Sequence, residues 1–138
     1  MRDLIIFIPS IEGGGVEKNL FYITNYIQSK FKNIYLITAN RINQNLFGKN
    51  IKLITPNTNY FNNKNRFVKS IICSYLLLQN FKKRNALIFS LQSNFFSIIF
   101  SKIINAKVII RLNTSPEKYI SNIYKKIIFK FLYSFADE

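Results

Sequence analysis

Ile5-Ile6-Phe7-Ile8-Pro9-Ser10-Ile11-Glu12-Gly13-Gly14-Gly15-Val16-Glu17-Lys18 decides how the rest of this chain is read. An apolar run gives way to a three-glycine turn, and an amphipathic helical pattern follows at once. Strand, glycine turn and helix open many α/β domains that handle nucleotides, because glycine lets backbone N–H groups approach a phosphate or a sugar. Of the four glycines in the chain three sit at this turn, and the fourth, Gly48, lies in a polar loop. Glycine carries an entropy cost wherever it is folded, so its concentration here points to positive φ angles or close ligand approach.

Working outward, residues 4–9 read as a buried strand, continuously apolar as a central parallel strand is. Residues 16–29 follow as a helix with Val16, Leu20, Ile23 and Ile27 on one stripe. A second strand is expected over residues 33–38 and a short third over 51–54, stopped by Thr55-Pro56. The Asn-rich residues 57–65 read as a loop. A helix is expected over 67–81, with Phe67, Ile71, Tyr75 and Leu78 turned inward and Lys82-Lys83-Arg84 at its carboxyl end, where cations suit the helix dipole. A fourth strand over 86–89, a helix over 93–104 and a fifth strand over 107–112 continue the pattern. A last helix spans 117–135, opened by the Ser115 hydroxyl, Pro116 and Glu117. This alternation predicts a single α/β domain, a Rossmann-like parallel sheet with helices on both faces; strand order is not set by the pattern.

Size and composition narrow the classes. At 138 residues and 49% apolar content, the chain fits one domain with a real core and is not a disordered segment. Its longest apolar runs, such as residues 71–78, fall short of the roughly 18 residues a spanning helix needs. Met1-Arg2-Asp3 leads straight into a strand without a signal-peptide cleavage site, and Cys73 stands alone on an apolar helix face, so the expected setting is the reducing cytoplasm. No metal-ligand set and no cofactor is read from the chain. The formal charge is +14, and the six acids, Asp3, Glu12, Glu17, Glu117, Asp137 and Glu138, leave nothing acidic from Lys18 to Pro116. Over-use of Ile, Asn, Lys, Phe and Tyr accounts for part of this charge. The remainder should draw an anionic partner: nucleic acid, acidic lipid or a phosphorylated substrate.

Two familiar phosphate loops do not fit. A P-loop has lysine and then Ser or Thr after its last glycine, whereas Val16 follows Gly15 and Asn19 follows Lys18. A dinucleotide fingerprint wants a third glycine where Lys18 stands and an acid after the second strand, where the chain reads Thr38-Ala39-Asn40-Arg41. Arg41 is the one residue there suited to a 2′-phosphate.

The sequence Pro9-Ser10 followed by Gly13-Gly14-Gly15-Val16-Glu17-Lys18 resembles the amino-terminal half of a family 4 glycosyltransferase of the GT-B fold. Ala86-Leu-Ile-Phe-Ser-Leu-Gln-Ser-Asn94 is similar to that family's fourth strand and the polar loop facing its inter-domain cleft. Lys107-Val-Ile-Ile-Arg-Leu-Asn-Thr-Ser-Pro116 is similar to the fifth strand and its loop, and Phe135-Ala-Asp-Glu138 to the segment before the sixth strand. The resemblance covers the whole chain and rests mainly on the glycine motif. It implies an acceptor-side domain whose substrate-binding residues are Gly13, Gly14, Gly15, Lys18, Gln92 and Asn113, with no catalytic residue assigned. Glu12, Glu17 and Lys18 read equally well as solvated surface, and Ser93 or Asn94 as a cap of the following helix. Asn113 stands where many members carry histidine, and this chain has no histidine.

What the resemblance implies about activity is transfer of a sugar from a nucleotide-sugar donor to a glycan or lipid-linked acceptor in cell-surface polysaccharide synthesis. The family's donor-binding second domain and its paired glutamates are not among these residues. Transfer needs the leaving diphosphate stabilised and both substrates held, so this half is expected to be inactive alone, and a separate carboxyl-terminal half is an expected partner. A lipid-linked acceptor would place the domain at the inner face of the cell membrane. Lys118, Lys125, Lys126 and Lys130 beside Tyr119, Ile123, Ile127 and Phe131 suit an anionic membrane surface, although an ordinary core helix with a lysine face reads the same way. The alternative is a basic, non-enzymatic binding module for nucleic acid or an anionic membrane. Nucleic acid is the weaker partner because the aromatics fall on expected buried strands and helix stripes.

Overall fold

A computed structural model describes residues 3–27, 29–43, 45, 47–48, 50–81, 86–112 and 123–136. Five strands form one all-parallel sheet in the order β3-β2-β1-β4-β5: β1 Asp3–Phe7, β2 Ile34–Ile37, β3 Ile51–Ile54, β4 Ala86–Ser90 and β5 Lys107–Ile110. The helices are α1 Gly15–Ile27, α2 Arg66–Asn80, α3 Asn94–Ile104 and α4 Ile123–Tyr133. The molecule is an α/β, Rossmann-like domain, as its sequence pattern predicts.

The central strand explains the layering. Leu4, Ile6 and Ile8 face one side, where they pack with Leu20 of α1, Leu36 and Leu91. Ile5 and Phe7 face the other and pack with Cys73 and Leu77 of α2, Ile98 of α3 and Val108. Alternation across a pleated strand thus feeds two cores, and β1 reads as unbroken apolar sequence because both faces are covered. Its register is fixed on both sides: Ile5 lies opposite Tyr35 and Ile88, and Phe7 opposite Ile37 and Ser90.

α1 follows its predicted stripe, with Leu20 buried and Val16, Ile23 and Ile27 packed beside it. The predicted inward face of α2 is overturned at three of its four positions, while Leu78 packs partly buried against the core. Phe67, Ile71 and Tyr75 are exposed, and the buried positions are Lys69, Ser70, Cys73, Ser74 and Leu77. The 3.6-residue period admits either stripe, and side-chain size misled the choice. α2 approaches the sheet closely through small residues, whose hydroxyls are satisfied within the helix: Ser70 Oγ donates to the Arg66 carbonyl at 2.7 Å and Ser74 Oγ to that of Ser70 at 2.8 Å. The helix opens on Asn65, whose Oδ1 accepts from the Val68 N–H at 2.9 Å.

Within the predicted Asn-rich loop a single 3-10 turn spans Asn59–Phe61. α3 ends at Asn105, left-handed at φ 57°, while the Ala106 N–H reaches back to the Ser101 carbonyl at 2.9 Å. The expected basic cluster Lys82-Lys83-Arg84 and the expected helix start at Ser115, Pro116 and Glu117 lie outside the described residues, as do Asn113, Lys118 and Tyr119.

Candidate functional site

The chain reverses direction across the sheet between β1 and β4. From β1 it builds outward through β2 and β3, then returns to lay β4 and β5 on the other side. Loops leaving the carboxyl ends of two such strands diverge and open a crevice, the usual ligand position in open α/β sheets. The β1 loop carries Ser10, Glu12 and the glycines; the β4 loop carries Gln92 and Ser93. The reversal therefore brings two of the sequence-predicted features to one place.

Their contacts are specific. The Ser10 N–H donates to Gln92 Oε1 at 3.2 Å, the Ile11 N–H to Asn40 Oδ1 at 3.2 Å, and the Glu12 N–H to Glu17 Oε1 at 3.2 Å. Three successive amides of the loop are thus held by side chains from β4's end, β2's end and the first turn of α1. Gln92 is buried, its side-chain oxygen committed to the loop. It acts first as a brace. Glu17, equally readable in sequence as solvated surface, is buried and reaches back from the first turn of its helix to the loop.

Gly13 has φ +83°, a left-handed conformation that side chains resist. At Gly14 an added Cβ would lie 3.0 Å from Glu17 Oε2, so the absent side chain makes room for that carboxylate. Gly15 opens α1 with open space around it. All three glycines are exposed, as is Lys18, which lies on the same edge of the sheet. No hydrogen bond ties the Lys18 ammonium to the other predicted residues among those described.

Sequence reasoning missed Lys69. The residue is 1% exposed, and Nζ donates to Ser10 Oγ at 3.0 Å and to Glu12 Oε1 at 3.1 Å. Ser10 Oγ in turn donates to Glu12 Oε1 in a short hydrogen bond. The Glu12 side chain remains 59% exposed at the crevice rim. The Ser10 hydroxyl and then the Lys69 ammonium hold its carboxyl below the ordinary value, against a smaller opposing effect of burial. The overlooked signal was a lysine four residues from Cys73 and eight from Leu77, on the stripe that is buried.

Ser93 and Asn94 do not cap α3 with their side chains. Ser93 stands at the helix start in the left-handed region, φ 57°, with no capping bond, and its Oγ lies 2.6 Å from Ser70 Oγ. Asn94 ties strands: Oδ1 accepts from Ser90 Oγ at 2.9 Å and Nδ2 donates to the Arg111 carbonyl at 3.0 Å. Its amide is already engaged within the fold. Cys73 is buried, and desolvation pushes its thiol far up, which makes it chemically inert.

No protein-family profile matches the chain, and no curated protein or solved structure matches it either.

Proposed function

We propose that this domain is the acceptor-side half of a GT-B glycosyltransferase acting in cell-surface polysaccharide synthesis. The observation that carries the reading is the meeting of the exposed glycine turn and Gln92 at the β1/β4 switch point, where the crevice of such a sheet takes its ligand. Backbone N–H groups at Gly13, Gly14 and Gly15, together with Lys18, would face donor phosphate and acceptor. Gln92 would shape the loop. The chemistry requires a second, donor-binding domain, in the same polypeptide or in a separate chain, to stabilise the leaving diphosphate.

A lipid-linked acceptor accords with the surface. α4 exposes Ile127 and Phe131 beside Lys126 and Lys130, apolar and cationic groups arranged for the face of an anionic membrane. No described helix is long and apolar enough to cross a bilayer.

The experiment is genetic and chemical. Deleting the coding region and analysing surface glycan by monosaccharide composition should show loss of one sugar, restored by the intact gene. Unchanged glycan would count against the transferase.

One observation favours the rival, a basic binding module: Tyr22, Tyr26, Tyr60, Phe67, Tyr75 and Phe95 are exposed, more aromatic surface than the sequence pattern predicts. They lie on helices and a turn, whereas the sheet faces, which an RNA-reading sheet would expose, are covered. Binding to RNA that falls steeply with added salt would favour the module; weak binding at physiological salt would favour the transferase.

A further inference from the structure

Burying an ammonium is expensive unless it is fully paired, and Lys69 is paired sparingly. Of its three N–H donors, two reach Ser10 Oγ and Glu12 Oε1, and the third has no partner among the described residues. Among the described residues the only carboxylate it meets belongs to a side chain still 59% exposed, whose Oε2 is likewise without a partner there. Arg66, exposed at the start of α2, adds its field to the same carboxylate. Glu17 is engaged with the Glu12 N–H and offers Lys69 nothing. One buried ammonium and a serine hydroxyl therefore meet one monovalent anion at the β1/β4 switch point, with the charge of Arg66 adding a smaller pull.

The anion is also easy to move. Glu12 directly precedes Gly13, which has no side chain to obstruct a change of rotamer, and the Glu12 side chain is already largely hydrated. Swinging it out costs little desolvation energy. Leaving Lys69 buried without a counter-charge costs more, so the open arrangement stays a minor one until another anion arrives. A phosphate group carries more charge and more acceptor oxygens than a carboxylate, and it can use the third Lys69 donor as well.

We infer that Glu12 is a placeholder: a phosphate or diphosphate group of a ligand takes its place on Lys69 Nζ, Ser10 Oγ and Arg66, and the carboxylate turns out to solvent. The site consists of these three side chains and does not depend on the glycine amides. Nor does it depend on the transferase reading, since a binding module would use it equally. Two sources share the chemistry, a nucleoside diphosphate and a lipid diphosphate.

The test is a titration of the isotopically labelled full chain with inorganic pyrophosphate, followed by the amide resonances of Ser10, Gly13 and Lys69. Removing the competing carboxylate in Glu12→Gln should tighten binding about tenfold, the gain expected if the open arrangement is populated at roughly a tenth. Arg66→Gln should weaken it about threefold, as a partly screened charge does, and Lys69→Met should abolish the local response. Lys107→Gln, at the opposite edge of the sheet, should change nothing. Pyrophosphate binding no tighter in Glu12→Gln than in the unaltered chain overturns the inference. So does a loss in Lys107→Gln equal to that in Arg66→Gln, which would mean diffuse attraction to a cationic surface. Should Lys69→Met fail to fold, the two exposed-site variants still decide. Uridine diphosphate binding more tightly than geranyl diphosphate identifies a nucleotide source and the reverse order a lipid one, in each case with the Glu12→Gln gain required.

Discussion

At the scale of single residues, the β1 loop is held by a network whose members do different work. Gly13 supplies a backbone conformation. Alanine there would have to adopt φ +83°, so Gly13→Ala should destabilise by about 1–2 kcal/mol in urea denaturation, with Gly13→Asn closer to the parent. Gly14 supplies space for the Glu17 carboxylate, and its replacement should instead loosen the Glu12 N–H bond to Glu17. The Glu12 carboxylate is ionised more readily in the folded chain than in the unfolded one, because Ser10 and Lys69 stabilise its charge. As pH falls, the unfolded chain takes up this proton first. The contribution is therefore complete above the ordinary carboxyl value of 4.5 and is lost as pH drops through the lower folded value. Urea midpoints compared between pH 6 and pH 3 should show Glu12→Gln less stable at the upper end and converging with the parent at the lower. A constant gap across that range would contradict the network.

At the scale of elements, α2 carries the main lesson about what sequence discloses. Its existence and length follow from pattern, yet its Asn65 cap reads as loop and its inward face does not follow, because two stripes share one period. The apolar bulk of Phe67, Ile71 and Tyr75 points outward in fact, while Ser70, Cys73 and Ser74 are buried where α2 meets α3 and β2. Lys69 was illegible for the same reason: a lysine on a stripe assigned to solvent needs no explanation, and only the three-dimensional neighbour Glu12 gives it one. The two faces should respond oppositely to mutation. Leu77→Ala should cost about 2–5 kcal/mol by leaving a cavity, whereas Tyr75→Ser should stay within about 0.5 kcal/mol of the parent, both read from denaturation midpoints. Asn65→Ala should cost about 1 kcal/mol through the lost cap.

At the scale of the whole molecule, the α/β class was legible because strands buried on both faces are written as unbroken apolar runs, and helices between them as stripes. Strand order was not, since it depends on which side of β1 each later strand joins, and nothing local records that choice. The order β3-β2-β1-β4-β5 is nevertheless what gives the glycine turn its neighbour: Gln92 lies 82 residues from Ser10 in sequence and within hydrogen-bond distance in space. The glycine turn and Gln92 are each picked out from sequence, and the fold joins them. The net charge of +14 shapes the whole surface and is the property on which the two functional readings diverge. The measurement that bears most directly on the proposed transferase is complementation of the deletion strain, read by monosaccharide analysis of its surface glycan. The account predicts that the parent gene restores a missing sugar and that Gly14→Val, which forces the loop against Glu17, does not. A glycan unchanged by deletion, or restored equally by that variant, would contradict it.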